Sequence, residues 1–436
     1  MQILGIDPAA VSGLVNRRVL EEHADDAAFL WRQREHAVRA PHFRLRHLAL
    51  LDARVLAHLE GLRVGGTPGW EAARRTLADG EPASAFVLAY LAARRGGEAL
   101  LQAALQMTHA GPAWRTAVVE GLAWSAEGAA ALGPAAASLP ALALHVGLNW
   151  APPPERDSAV RTAVAEAATH PDALLRAEGL RLLGETKRKD RTAMLEGAMS
   201  DPDAVCRFWA ARSLALLGDA TRAHEAFALA RELPDLAKEA LEVGMRLGDP
   251  AWAREQIRAL AADAGGARAA VMAAGRLGDP SVVPWLLDLL DHPTLARVAA
   301  ESFAMITGVD LDLSAFKAGT AEPEDGGPLP GAVWSPAPDD ADPSVDVDDE
   351  DLPAPAPPAL RRWWTQERHR FTGGRRYLVG RVIDAAVAVD VLRGGYQRQR
   401  QGAALELARL RPGVRVFSTR SRADWQRRWL APGGAA

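Results

Sequence analysis

Five of the 11 histidines crowd into residues 21–66: His23, His36, His42, His47 and His58. Imidazoles hold a transition metal when two project from one helix face, as at i, i+4. Here the gaps are 13, 6, 5 and 11, and Pro41 separates His36 from His42, so no helical ligand pair forms and no metal is expected. The single thiol, Cys206, shares a helical stripe with Ala210, Leu214 and Leu217, which points to a buried, inert sulfhydryl rather than a nucleophile. One Cys also excludes an intrachain disulfide and a thiolate zinc cluster. The acids Glu21, Glu22, Asp25 and Asp26 come as adjacent pairs, and neighbours on a helix diverge by about 100°, so a solvated face is expected rather than an acid/base couple. Two looser pairs, His42 with Asp52 and His145 with Trp150, are expected to form no site. With no GxxxxGK loop, GxSxG elbow or GxGxxG turn, the expectation is a non-enzyme with no catalytic residue and no cofactor.

The richest binding chemistry lies near the C-terminus. Residues 361–436 hold 17 Arg against the acids Glu367, Asp384, Asp390, Glu406 and Asp424, a net charge of +12. Trp363, Trp364, Phe371, Tyr377, Tyr396, Trp425 and Trp429 are interleaved with these Arg, a mixture able to stack bases and hold phosphates. Aromatic core residues in a small helical module explain the same pattern more simply. Residues 318–360 hold 11 acids among many prolines and no Lys or Arg, the composition of a flexible linker. The body before it carries a net −5, the wrong sign for tracking a phosphate backbone, so a nucleic-acid partner is not expected there. Arg361, Arg362, Trp363 and Trp364 are the residue types enriched in binding hot spots and are the candidate partner-binding residues, with anchoring of the tail as their other reading.

What must position these groups is a helical repeat. EGLRLLGE, RSLALLGD, EVGMRLGD, MAAGRLGD and FAMITGVD place Gly184, Gly218, Gly248, Gly278 and Gly308 at intervals of 34, 30, 30 and 30 residues. Two helices of about 12 residues and two turns fill such a period, and each Gly reads as the left-handed residue just past a helix end. HPDALLR at 170, DPDAVCR at 201 and HPTLAR at 292 place Pro near the first helical position. Within one unit, Leu295, Val298, Ala299, Ser302, Phe303 and Ile306 form an apolar stripe with Arg297 and Glu301 opposite. A single hairpin cannot bury that stripe, so neighbouring units must stack. Upstream, residues 82–95 and 113–124 read as degenerate repeats, and 21–66 as two packed helices with Phe29, Leu30, Leu45, Leu48, Leu51, Val55 and Leu59 in their core. In the tail, helices are expected over about 377–392 and 399–410, with VRVFST as a short extended piece. The uncharged stretch Gly128–Pro154 contains prolines and abundant Ala, which fits buried helices rather than a membrane span. The start of the chain has no export signal pattern, and a cytoplasmic location is expected.

DPDAVCRFWAARSLALLGD resembles a compact HEAT-type repeat. Along nearly the whole chain, FLWRQREHAVRAPHFRLRHLALLDARVLAHLEGLRVGG, the ending FAMITGVDLDL, the acidic gap and the tail RYLVGR with QRQRQGAALELA resemble an uncharacterised bacterial family of HEAT-repeat proteins. The resemblance implies an all-α, HEAT-type α-solenoid, a right-handed superhelix. It is divided as a helical N-terminal cap (1–80), a solenoid (81–317, clearest over 155–310), a linker (318–360) and a basic helical module (361–436). Members of that family tend to be encoded beside type VI secretion components and their cargo, which implies an adaptor whose groove holds a secretion component or effector. Two other HEAT-type activities, bilin lyase and DNA glycosylase, find no pocket or charge signature in these residues.

Overall fold

A computed structural model describes residues 16–96, 98–125, 162, 164–263, 265–318 and 349–432. Among them the chain is mostly helical, and the one sheet is a two-stranded hairpin, β1 (Tyr377–Leu378) and β2 (Arg381–Val382), in which Tyr377 pairs with Val382. None of these helices is long and apolar enough to cross a membrane. Gly128–Pro154, with His145 and Trp150, falls outside the described residues. The described residues fall into two compact units: unit 1 takes those within 16–38, 46–166 and 420–426, and unit 2 those within 39–45, 167–419 and 427–432.

Unit 1 contains α1 (Arg17–Ala37), α2 (Leu45–Val64), α3 (Gly66–Arg75), α4 (Pro82–Arg95), α5 (Glu98–Gln106) and α6 (Pro112–Ala123). Asn16 caps α1 by accepting from the Arg18 N–H. Helix α4 is buried along most of its length and packs on α6, α1 and α3, so it is the centre of this unit's core. The expected core residues of α1 and α2 are buried with one exception: Phe29 is exposed, and Trp31 enters instead, stacking on Phe86 of α4. The 3.6-residue period places 27, 30, 31 and 34 on one face, so Phe29 points away from it.

Unit 2 contains α7 (Ala173–Glu185), α8 (Thr192–Ala198), α9 (Ala204–Leu217), α10 (Ala220–Leu229), α11 (Ala237–Leu247), α12 (Pro250–Ala262), α13 (Ala267–Leu277), α14 (Val283–Asp288) and α15 (Ala296–Thr307). Helices α7, α9, α11, α13 and α15 form a row in which each packs on the next, while α8, α10, α12 and α14 flank that row. The stripe Leu295, Val298, Ala299, Ser302, Phe303 and Ile306 is buried as its period requires. Punctuation differs in detail from the expectation. Gly218, Gly278 and Gly308 adopt the left-handed conformation after their helices, whereas Gly248 is extended and Gly184 lies inside α7. Gly184 is required for close approach, since a Cβ there would stand 2.4 Å from Ser213 Oγ of α9. The prolines at 171, 202 and 293 precede their helices; Asp172 and Asp203 cap α7 and α9, and Pro at the first helical position occurs instead at Pro250 and Pro280, behind the caps Asp249 and Asp279.

The tail continues unit 2 with α16 (Pro357–Glu367), the hairpin, α17 (Ala385–Gly394) and α18 (Gln397–Leu410); of α19 (Ala423–Leu430), residues 423–426 belong to unit 1 and 427–430 to unit 2. Residues 361–419 share a unit with the repeats and are not a separate body. Helix α18 packs on α9 and α11, putting Leu405 and Ala408 among Phe208, Ala211, Val243 and Leu247. The helix expected from 377 starts at Ala385, because Tyr377–Val382 forms the hairpin, with the Tyr377 N–H donating to the Gly278 carbonyl. VRVFST forms no strand. Of the expected linker, 319–348 falls outside the described residues. From Asp349 the chain is packed: Asp349 is buried on Arg268, Leu352 is buried, and Pro355 bridges to Lys317.

Candidate functional site

Two charged clusters stand out, one in each unit. In unit 2, the row of helices carries a ladder of Arg–Glu pairs in three groups. Arg181 Nε donates to Glu185 at 2.9 Å, Arg212 lies between Glu185 and Glu239 at 3.3 and 2.6 Å, and Glu242 takes Arg246 and Arg276 at 2.6 and 2.5 Å. Glu301 of α15 takes Arg398 of α18 at 3.0 Å. Burial alone would raise the Glu242 carboxyl, but Arg276 and Arg246 more than reverse it and hold it below the ordinary range; Arg181 and Arg212 do the same for buried Glu185. These carboxylates are committed as anions. Trp209 stands against the Arg181 and Arg212 guanidiniums, each 5.1 Å from its ring.

The ladder borders a cleft of about 250 Å³ between α11, α13, α15 and α18. Met272 and Met305 line it beside Gly275, and Glu242, Arg276, Glu301 and Arg398 supply polar walls. Exposed Arg39 and Lys238 stand at its rim. Thioethers adapt to varied shapes, and guanidinium–carboxylate pairs offer both donors and acceptors, so the cleft suits polar main chain and mixed side chains.

In unit 1, α1, α2 and α6 surround residues 420–426. Arg34, with no exposed surface, donates from Nε to Asp52 at 2.6 Å and from Nη2 to the carbonyls of Arg420 and Ser421 at 2.7 and 3.0 Å. Asp52 also accepts the Ala423 N–H at 2.7 Å. Arg420 enters between Glu35 and Glu120 at 2.6 and 2.7 Å, and Trp31 Nε1 donates to Glu120. Burial and the adjacent Glu120 push the Glu35 carboxyl up to about 7, against the pull of Arg420. Burial also acts upward on Glu120, but Arg420 and Arg34 outweigh it and keep that carboxyl low. Glu35 is therefore the more readily protonated of the pair, and Glu120 the more readily ionised.

The structure gives each residue singled out from the sequence a definite place. Arg361 of α16 donates to the Leu287 carbonyl and to Asp291, Trp363 and Trp364 meet Phe303 edge-on with ring centroids 5.7 and 6.3 Å apart, and Arg362 is exposed. Three of the four thus brace α16 within unit 2, the anchoring role, and none lines the cleft. Cys206 is buried, its Sγ 3.3 Å from the Ala173 carbonyl, and burial pushes its thiol up to about 12. Asp52 is engaged by Arg34. His23 and His58 meet Nδ1 to Nδ1 at 3.1 Å across α1 and α2, a pair the spacing along one helix does not reveal. Among the described residues no group of three or more His, Cys, Asp or Glu is arranged to hold a metal. No motif or spacing marks Arg34, Glu35, Glu120 and Arg420 in the sequence; the one available signal is that residues 34 and 35 continue the buried face of α1.

Comparison with known protein families, with curated proteins and with solved structures finds no match to this chain.

Proposed function

We propose that this protein is a non-catalytic interaction adaptor, a HEAT-type α-solenoid whose charged cleft between α11, α13, α15 and α18 holds an extended segment of another protein. The observation that carries this reading is the cleft itself: about 250 Å³, walled by paired Arg and Glu and lined by two methionines, on a face built from successive helices of one row. The stacking of hairpins of about 30 residues supports the solenoid assignment. A secretion component or effector as the partner rests on the family resemblance, and a cytoplasmic location is part of the same proposal. The alternative of a nucleic-acid-binding tail is disfavoured, because Arg376 and Arg409 are taken by Glu406, Arg381 by Asp390, Arg393 by the Leu430 carbonyl and Arg398 by Glu301. Nothing in the lining supports a bilin-lyase reading.

The test is affinity capture from the native cell with the full chain and with an Arg39→Glu/Lys238→Glu double variant, which reverses two exposed rim charges. The adaptor reading expects a secretion protein on the wild type that is lost from the variant. A partner held equally by both removes the cleft from the proposal, and co-purification of nucleic acid instead of protein replaces it.

A further inference from the structure

No two histidines of residues 21–66 stand at i, i+4, yet the fold brings one pair together across two helices. His23 of α1 and His58 of α2, 35 positions apart in sequence, meet Nδ1 to Nδ1 at 3.1 Å. Their rings are T-shaped, with an interplanar angle of 74°, so they touch through nitrogen and do not stack face to face. Such a contact admits one proton between the two nitrogens, one ring donating and the other accepting. It is also the separation a metal ion imposes. With bonds of about 2.0–2.1 Å to imidazole nitrogen and an angle of about 90–109° between them, two ligands of one ion stand about 2.8–3.4 Å apart.

The surroundings hold both rings and leave them open to solvent. Leu20, Ala24 and Ala27 of α1 and Val55, Leu59 and Leu62 of α2, which flank the two histidines in sequence, share one buried core. His23 and His58 themselves are half-buried. Gly61, three residues beyond His58, makes the room for the His23 ring: a Cβ there would stand 2.7 Å from His23 Nε2 and Cδ2. The Asp26 carboxylate lies 3.6 Å from His58 Nδ1 and adds negative charge beside it.

We propose that His23 and His58 form a two-histidine chelate for a divalent transition-metal ion that prefers imidazole nitrogen, such as zinc, and that the ion clips α1 to α2 at the surface of unit 1. The ion takes the place of the shared proton. That proton moves to Nε2 of the ring that held it, so both rings stay neutral and each presents an Nδ1 lone pair. With two protein nitrogens and no third ligand arranged beside them, the remaining positions go to water, and the ion exchanges freely, unlike one in a closed structural centre. This inference is independent of the cleft of unit 2.

The experiment is isothermal titration of the full chain with zinc chloride at neutral pH. One equivalent is expected to bind saturably, and His23→Asn and His58→Asn are each expected to weaken it at least about tenfold. Gly61→Ala keeps both ligands but displaces the His23 ring, so it should weaken binding as well. His109→Asn, at an exposed histidine of the same unit, should leave the titration unchanged. No saturable binding up to about 1 mM zinc, an equal loss in His109→Asn, or wild-type binding by Gly61→Ala overturns the proposal. Should the variants lose their helical circular dichroism, the wild type decides. Zinc should protect His23 and His58 from diethyl pyrocarbonate, because coordination at Nδ1 keeps the proton on Nε2 and leaves no lone pair free to react; equal modification with and without zinc overturns the site.

Discussion

Replacing Glu35 by Gln tests the charge logic of unit 1 at one atom. A Gln amide at position 35 keeps an oxygen for Arg420 and removes the group that titrates. Raising a carboxyl from 4.5 to about 7 disfavours its ionised form by about 3 kcal/mol, at about 1.4 kcal/mol per tenfold. Because the folded state binds this proton more tightly than the unfolded chain, the contribution is fully present below pH 4.5 and is lost as pH rises through about 7. Glu35→Gln should therefore stabilise unit 1 by about 3 kcal/mol at pH 8.5 and by under about 1 kcal/mol at pH 5. Urea unfolding at the two pH values reads the difference, with tryptophan fluorescence from Trp31 and Trp124 beside the cluster. An equal effect at both pH values, or destabilisation at pH 8.5, would refute the assignment of the proton to Glu35.

The geometry sets three further outcomes. Gly278→Ala combines a φ of +79° with a Cβ 2.2 Å from the Tyr377 carbonyl oxygen, and should cost about 2 kcal/mol or more in urea unfolding, well above an ordinary surface change. Burial lowers the His58 imidazole despite Asp26, so the unfolded chain takes up this proton first and stability should fall as pH drops below 6.5; His58→Asn should flatten that part of the melting-temperature profile. Cys206, buried with its thiol pushed up to about 12, should resist alkylation by iodoacetamide at pH 8 in the native protein and react fully in denaturant.

Local physics made much of this protein legible from its residues. The period of 30, the apolar stripe of α15, the helices at 82–95 and 113–124 and the inert Cys206 each depend on side chains within one or two turns of each other. Gly-Asp at 218–219 and 278–279 is local too: the glycine turns the chain left-handed and the aspartate caps the next helix. Tertiary structure decided the rest. Tyr377 leaves a helical pattern for a hairpin because its N–H bonds the Gly278 carbonyl, a partner 99 positions away. Trp363 and Trp364 look like hot-spot residues in isolation, and their role turned on Phe303 standing within reach. Arg34 and Arg420 illustrate the limit most clearly. A buried arginine and a solvated one are the same letter, and only the fold, by bringing Asp52, Glu35 and Glu120 around them, separates the two.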